Sequence, residues 1–248
     1  MKTLDEKILD ALKVHQPKRP KNLSRIINED WQEVKSCLYD MRDIKVYRDE
    51  EFYWWVKDTS LKWTHEKIYY LTSYIASRFW NYRGDDDLEV SDSKLIVSFK
   101  EGDDSAVEQV TMRMLSAVNE LIENYVSSEY LVLVPIPSSK PSKTTSMYRA
   151  AEFIGDFCSH GGDVDVLDMF ERIYNMPAAH EGYRPGYEEQ KNSIRCNYPE
   201  LCDENHTCII LDDVTTTGTI MDVCRDILIE NGMPEENILR LAFAKTGA

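Results

Sequence analysis

The segment that decides the fold of this 248-residue chain reads Cys208-Ile209-Ile210-Leu211-Asp212-Asp213-Val214-Thr215-Thr216-Thr217-Gly218-Thr219-Ile220. Its apolar start predicts a buried strand, two carboxylates follow, and a turn of small hydroxyl residues leads into a helix expected over 220–230. Backbone N–H groups and the dipole at a helix start favour an anion, and Gly218 permits a close approach of the backbone to a ligand. The segment therefore predicts a phosphate-binding turn beside two acids.

The two adjacent carboxylates, Asp212 and Asp213, have more than one interpretation. They can accept hydrogen bonds from neighbouring sugar hydroxyls or lie near a Mg²⁺ ion. They also fit a helix cap without any ligand. The uninterrupted register of apolar strand, acid pair and Thr/Gly turn favours a ligand site over a simple cap.

The chain around this segment alternates between apolar runs and helical patterns. Such continuous apolar strands predict a parallel sheet covered by helices on both faces, and hence an α/β fold. A capping box of Ser105 and Glu108 is expected to open a helix reaching Tyr125, and another helix is expected over 147–158. The predicted strands are Leu95–Phe99, Tyr130–Val134, Val164–Leu167, Cys208–Leu211 and Ile238–Phe243.

The first sixty residues predict three short helices, strands over 44–47 and 52–56, and a polar turn between them. This order resembles a small winged helix-turn-helix domain. The third helix is mainly acidic, whereas a DNA-reading helix usually presents Arg, Lys, Asn or Gln, so protein contact or scaffolding is favoured over sequence-specific DNA binding. The basic cluster that could hold phosphates is Lys18, Arg19, Lys21 and Arg25.

The middle of the chain is expected to connect two domains. Residues 61–83 carry apolar side chains at helical spacing and predict one long helix, and residues 84–93 predict an acidic loop. The expected division is a winged-helix-like domain at 1–58, a helical connector and acidic loop at 59–93, and a larger α/β domain at 94–248.

Charge and composition limit the classes of function. Residues 1–60 carry equal numbers of acidic and basic side chains, so the rest of the chain holds the whole net charge of −15. The chain as a whole therefore repels nucleic acid, and any such contact must be local. The longest apolar run, Leu131–Pro137, is too short to span a bilayer, and the N-terminal residues lack an apolar signal core, so we expect a cytoplasmic protein without membrane contact.

Six cysteines are present, without a Cys-x-x-Cys pair. In the expected cytoplasmic setting the default is reduced thiols. Cys196, Cys202, His206 and Cys208 lie close together in sequence, but their spacing fits a zinc site poorly.

The segment 208–220 resembles the phosphoribosyl pyrophosphate (PRPP) signature of type I phosphoribosyltransferases. The resemblance implies that Asp212 and Asp213 are the catalytic acids that hold the ribose hydroxyls, with Mg²⁺ held indirectly by the same pair. It implies that the following loop binds the 5-phosphate of PRPP or of a related ribose 5-phosphate nucleotide. That loop consists of Thr215, Thr216, Thr217, Gly218 and Thr219.

Other segments extend the resemblance over about residues 90–248, towards the ComF-like branch of the family. Leu131–Pro137 is similar to the first strand, and Ser138, Ser139 and Lys140 lie where the family binds pyrophosphate. Leu95–Asp103 is similar to an upstream segment containing lysine and glycine. Unlike that branch, the chain has few arginines after Pro137; its available cations are Lys140, Lys143 and Arg149.

The resemblance implies a pentosyltransferase in which Mg²⁺ and Lys140 neutralise the departing pyrophosphate, and in which the polar segment 174–195 closes over the site. Two alternatives stay open: a PRPP-sensing winged-helix regulator without catalysis, and an accessory subunit of a retron-type antiphage system. The sequence leaves open the acceptor, the oligomeric state, and whether the N-terminal module contacts protein or nucleic acid.

Overall fold

The computed structural model describes residues 2–15, 20–41, 46–48, 54–56, 61–64, 67–83, 87–138, 145–173 and 185–246. In these ranges, no helix has both the length and the apolar character needed to cross a membrane.

The N-terminal residues form three helices and a two-stranded antiparallel ribbon. The helices are α1 (Leu4–His15), α2 (Pro20–Ile27) and α3 (Trp31–Asp40), and the strands are β1 (Val46–Arg48) and β2 (Trp54–Val56). The helices share a core that includes Ile8, Leu12, Leu23, Val34 and Leu38. The predicted helices and ribbon are confirmed, with Arg48 in a strand instead of the turn; Ile44 and Phe52 lie outside the described residues. The assignment to the winged-helix class stays a prediction.

The larger part of the chain contains a six-stranded sheet with the order β3-β4-β10-β9-β5-β6. Five of these strands are parallel, and β3 pairs antiparallel with β4 at one edge. The sheet strands are β3 (Lys62–Trp63), β4 (Tyr69–Tyr74), β5 (Tyr130–Pro135), β6 (Asp163–Val166), β9 (His206–Thr215) and β10 (Ile238–Thr246). A separate antiparallel pair consists of β7 (Phe170–Arg172) and β8 (Ile194–Cys196).

Helices cover both faces of the sheet, as the apolar strands predict. The helices are α4 (Trp80–Arg83), α5 (Leu88–Glu101), α6 (Asp104–Tyr125), α7 (Ser146–Phe157), α8 (Tyr187–Asn192) and α9 (Thr219–Glu230). Alternate residues of β5 enter different cores: Leu131 and Leu133 pack with α5, α6 and α7, whereas Val132 and Val134 pack with α9. The α/β fold with a parallel sheet flanked by helices is therefore confirmed.

The predicted long helix over 61–83 is wrong. Ile68, Leu71, Ile75 and Phe79 have helical spacing, but residues 69–74 form β4, which pairs in parallel with β10. The tyrosines and threonine of this segment suit a strand, and pairing with β10 outweighs the weaker local pattern. Part of the predicted connector is thus a strand of the main sheet.

The predicted strand Leu95–Phe99 is also wrong, as is the predicted acidic loop over residues 88–93, because both lie in α5. Residues 84–86 of the predicted loop lie outside the described residues. Asp87 caps this helix by accepting hydrogen bonds from the N–H groups of Glu89 and Val90. Gly102, with φ of 84°, ends it in the left-handed region. A short run with four apolar residues in five does not by itself distinguish a strand from one face of a buried helix.

The predicted helix after residue 103 is confirmed as α6, but its cap differs. The side chain of Asp103 accepts a hydrogen bond from the N–H of Ala106. Ser105 and Glu108 lie inside the helix and do not form the expected capping box.

These boundaries predict different outcomes for two truncations. Deleting residues 1–57 removes the separate N-terminal core and keeps β3 and β4, so we expect a fragment that unfolds cooperatively. Deleting residues 1–76 removes both strands and exposes the edge of β10, which is an aggregation hazard. Size-exclusion chromatography and thermal circular dichroism check this; an insoluble fragment 58–248 would contradict it.

Candidate ligand-binding site

The candidate site lies where the sheet connections diverge. From β5 the chain runs through α7 to β6, and from the neighbouring β9 it runs through α9 to β10 on the opposite side. In open α/β sheets, ligands bind at such a divergence, beyond the carboxyl ends of the strands. Here the N–H of Ile136, just after β5, donates to the carbonyl oxygen of Leu211 at 2.9 Å, which brings the β5 loop beside Asp212 and Asp213.

A cavity of about 450 Å³ opens at this position. The C-terminal end of α5, the residues after β5, the N-terminal turn of α7 and the acid pair of β9 all contribute to its wall. The lining residues are Phe99–Gly102, Ile136–Ser138, Thr145–Met147, Arg149, Asp212 and Asp213.

A lysine from another part of the chain faces the acid pair. Lys100 Nζ lies 3.1 Å from Asp213 Oδ1. Strand alternation explains the contact, because Leu211 packs toward α5 and Asp213 is on the same face of β9. Lys100 also occupies the last turn of α5, where the helix dipole favours a cation. The site thus contains a fixed positive charge against two carboxylates.

The two carboxyl groups have different surroundings. Asp212 is half-buried, and its Oδ1 accepts a hydrogen bond from the N–H of Asp213 at 2.8 Å. Burial, followed by repulsion from Asp213, raises the pKa of Asp212 to about 7, although Lys100 opposes the shift. Burial lowers the pKa of Lys100, but attraction to Asp213 and Asp212 outweighs it and the pKa lies above its ordinary value. Asp212 can therefore hold or release a proton near neutral pH.

The hydroxyl-rich turn leads from β9 into the twelve-residue helix α9. Thr215 is 2% exposed, and its buried Oγ1 has no hydrogen-bond partner. Thr217 Oγ1 and Thr219 Oγ1 lie 2.8 Å apart. Gly218 has φ of 81°, and a Cβ there would lie 2.5 Å from Cδ1 of Ile68. The left-handed backbone conformation therefore favours glycine, and the Ile68 side chain would have to shift to admit a Cβ.

The structure brings together only part of the predicted site. Asp212, Asp213 and Ser138 line the cavity, whereas the residues that lead from the end of β9 into α9 are not among its lining residues; these are Thr215, Thr216, Thr217, Gly218 and Thr219. Of the predicted cations, Arg149 lines the cavity and donates to Asp104 at 2.8 Å. Ser139, Lys140 and Lys143 lie outside the described residues.

A buried arginine that sequence reasoning missed supports the loop after β5. Arg172 is 6% exposed, and its Nε donates to the carbonyl oxygen of Ser138 at 3.1 Å. Another of its nitrogens donates to Ser193 Oγ at 2.6 Å. Arg172 thereby ties the cavity wall to the segment between α8 and β8. Arg172 lies in the three-residue strand β7, which contains no sequence motif that would have identified this arginine.

The polar segment 174–195, predicted as a loop that covers the site, is partly regular. Residues 187–192 form α8 and residues 194–196 form β8, while 174–184 lie outside the described residues. Tyr187 donates from its hydroxyl to Asp226 at 2.5 Å, which joins α8 to α9. The described part of this segment is therefore packed against the sheet domain.

The acid pair fits a magnesium ion that arrives with a phosphorylated ligand. Proteins usually hold Mg²⁺ through one or two carboxylates together with substrate phosphate oxygens. Asp212 and Asp213 supply that number. Across the described residues there is no group of three or more His, Cys, Asp or Glu side chains suited to hold a metal.

Comparisons with known proteins identify no family. No family model matches the chain, and no curated protein matches it. Among solved structures, an O-methyltransferase family protein from Burkholderia thailandensis aligns with 92% of this chain at 9% identity and a TM-score of 0.18. This chain spans 57% of the length of that structure, and so low a TM-score carries no argument about fold or function.

The raised pKa of Asp212 predicts a stability effect that depends on pH. The folded protein keeps a proton that an unfolded aspartate loses, so this contribution is present below pH 4 and is lost as the pH rises through about 7. We expect Asp212→Asn to be more stable than wild type by about 1–3 kcal/mol at pH 8, and equally stable at pH 3.5. Urea unfolding at both pH values measures this.

The exposed Asp163, at the opposite end of the sheet, supplies the matched control. Asp163→Asn should unfold with the same pH dependence as wild type. Equal stability of the Asp212→Asn variant and wild type at pH 8 would contradict the assignment.

Proposed function

We propose that this protein binds PRPP or a related ribose 5-phosphate nucleotide with Mg²⁺, and transfers or hydrolyses the phosphoribosyl group. The observation that carries the proposal is the pair Asp212 and Asp213 near the carboxyl end of β9, beside Lys100. The unsatisfied hydroxyl of Thr215 ends the same strand, and a short turn then leads into α9. Each part suits one portion of such a ligand.

The carboxylates suit the ribose. Asp212 and Asp213 are acceptors on adjacent strand residues, and a ribose presents two neighbouring hydroxyl donors. Lys100 forms an ion pair with the Asp213 carboxylate, so the position of this carboxylate is set before a ligand arrives. Such pre-ordering reduces the entropic cost of binding.

The turn Thr215–Thr219 suits the 5-phosphate. Backbone N–H groups at the start of α9 favour an anion, and Thr215 contributes a buried hydroxyl that lacks a protein partner. A phosphate oxygen at this position would satisfy that hydroxyl. The acids and the turn are consecutive in sequence, which matches a ligand whose sugar and phosphate are joined.

The cavity wall suits a second anionic group. The N-terminal turn of α7, Thr145–Met147, lines the cavity together with Ser138, Lys100 and Arg149. Helix starts and cations both favour an anion such as pyrophosphate. Arg172 holds the carbonyl of Ser138 and so fixes this wall.

The charges of the site suit loss of pyrophosphate from the sugar. When the bond between C1 and the pyrophosphate oxygen breaks, positive charge develops on the ribosyl group, and the carboxylates of Asp212 and Asp213 favour it. Lys100 and Arg149 favour the negative charge that moves onto the leaving group. Bound Mg²⁺ would supply further positive charge to that group.

We propose that the N-terminal module is a winged helix that contacts a protein. Ile26, Trp31 and Tyr39 on α2 and α3 are 41–43% exposed. Exposed aromatic side chains are typical of protein interfaces, and the acidic residues at the start of α3, such as Glu33, oppose contact with nucleic acid.

Titration of the full-length protein with PRPP and Mg²⁺, followed by phosphorus NMR of the same sample, tests the proposed function. Binding with release of pyrophosphate would support an enzyme, and binding with intact PRPP would support a sensor. Absence of binding would overturn the proposed ligand.

The double variant Asp212→Asn/Asp213→Asn should lose PRPP binding and stay folded, while Asp163→Asn should bind PRPP as wild type does.

Two buried threonines allow a sharper test, because both Thr215 Oγ1 and Thr111 Oγ1 lack partners. Replacing either by valine removes an unsatisfied hydroxyl at nearly constant volume and should stabilise the fold by about 1 kcal/mol. Only Thr215→Val should weaken PRPP binding, by roughly tenfold, the loss of one hydrogen bond to a charged group. Thr111 lies on α6, away from the cavity lining.

Calorimetry with PRPP and urea unfolding of both variants give the two measurements. Equal PRPP affinity of Thr215→Val and Thr111→Val would contradict a phosphate at the turn.

A further inference from the structure

Two cysteines outside the proposed ligand site face each other across a short turn. Cys196 ends β8, and Cys202 follows the 3-10 turn Pro199–Leu201. Their sulfur atoms lie 4.0 Å apart, and both are free thiols. The separation is about 2 Å longer than a disulfide bond, a gap that side-chain rotation and a small movement of the turn can close.

The two thiols are not equivalent. Cys196 is half-buried, whereas Cys202 is 5% exposed. The hydrogen bond with Cys202 lowers the pKa of Cys196, burial opposes this, and the N–H of Tyr198 adds to the lowering. The hydrogen bond with Cys196 and burial raise the pKa of Cys202. Because Cys196 is also the more exposed thiol, it is the one that a dissolved oxidant reaches first.

Neighbouring groups disfavour a zinc site built on these thiols. His206, a sequence candidate, directs Nδ1 to Asp203 Oδ1 at 2.7 Å and packs its ring against Tyr130 at 5.2 Å between centroids. Cys208 is fully buried in β9, where it pairs with both Val132 and Ile238. Cys208 is near enough to raise the pKa of Cys202, but its thiol is fully buried, and the two sulfur atoms in contact are those of Cys196 and Cys202.

We propose that Cys196 and Cys202 form an oxidation site that reacts with hydroperoxides to give an intramolecular disulfide. The Cys196 thiolate attacks the terminal peroxide oxygen; an S–O bond forms, the O–O bond breaks, and an alcohol or water leaves with a proton. The Cys202 sulfur then attacks the sulfenic sulfur of Cys196, an S–S bond forms, and the hydroxyl leaves as water with the Cys202 proton. The two thiols lose two electrons, which reduce the hydroperoxide.

Another cysteine of the chain provides an internal comparison. Cys158 at the end of α7 is also half-buried, but burial raises the pKa of its thiol. Its sulfur donates to the carbonyl oxygen of Gly155 at 3.8 Å instead of lying against a second thiol. Cys158 thus shares the exposure of Cys196 and lacks its partner.

The cysteine pair also lies close to Arg172, which holds the Ser138 part of the cavity wall. Cys196 is opposite Phe170 in the β7–β8 register, and Arg172, two residues further along β7, holds Ser138. The oxidation site itself does not depend on what the cavity binds, so its test is independent of the proposed function.

The test treats the full-length protein with one equivalent of hydrogen peroxide, blocks remaining thiols with iodoacetamide, and identifies linked peptides by mass spectrometry. We expect a Cys196–Cys202 link that dithiothreitol reverses.

Without peroxide, iodoacetamide at pH 7 should modify Cys196 roughly tenfold faster than Cys158, because the thiolate fraction of Cys196 is larger. In Cys202→Ser, dimedone should capture a sulfenic acid at Cys196; Cys158→Ser should form the same link as wild type.

Several outcomes would overturn the proposal. They are equal modification of Cys196 and Cys158, a link to Cys208 in place of Cys202, and stoichiometric zinc in the purified protein that protects Cys196 from peroxide. The wild-type measurements decide the proposal even if a variant fails to fold.

Discussion

The parallel pairing of β5 with β9 is the constraint on which the rest of the structure depends. Leu133 lies opposite Ile209 and Pro135 opposite Leu211, so β9 continues past the end of β5 and carries its two acids to the divergence of the sheet. Because both faces of these strands are covered, Asp212 is half-buried, and its pKa rises. The position of the acids, the raised pKa of Asp212 and the cavity beside the acids follow from one register.

The continuous apolar runs from Tyr130 onward predicted their strands correctly, whereas two segments before residue 100 were assigned to the wrong class of element. The apolar runs of β5, β9 and β10 had the expected strand character, since burial on both faces leaves little alternative. Leu95–Phe99 was assigned to a strand because four apolar residues in a run of five fit either class; the caps Asp87 and Gly102 make it a helix. Residues 69–74 were assigned to a helix because their partner, β10, is distant in sequence.

The site was predictable where its residues are consecutive and unpredictable where they converge through the fold. Asp212 and Asp213 stood out because strand, acids and turn follow without interruption. Lys100 lay in a segment noted for resemblance, but its contact with Asp213 depends on α5 ending beside β9. Arg172 gave no signal, since its role depends on the carbonyl of Ser138 and the hydroxyl of Ser193. Such convergence is a property of the folded chain.

The site residues are costly to the folded state. The Thr215 hydroxyl is buried without a hydrogen-bond partner. Burial and the neighbouring carboxylate of Asp213 both disfavour the charged form of Asp212. Natural proteins keep such unfavourable groups mainly where function requires them. The unsatisfied Thr111 hydroxyl lies elsewhere in α6, and nothing in the structure explains it.

The position of β4 has a consequence for how the chain assembles during synthesis. Residues 69–74 leave the ribosome early, but β10, the sheet strand beside which they lie, is made after β5, β6 and β9. In the described sheet, the other neighbour of β4 is the two-residue β3. Pairing across so much intervening chain slows folding and leaves strand edges exposed to other molecules. We therefore expect the edge of β4 that faces β10 to stay unpaired until residues 238–246 have been made, and chaperone contact to matter most during that interval.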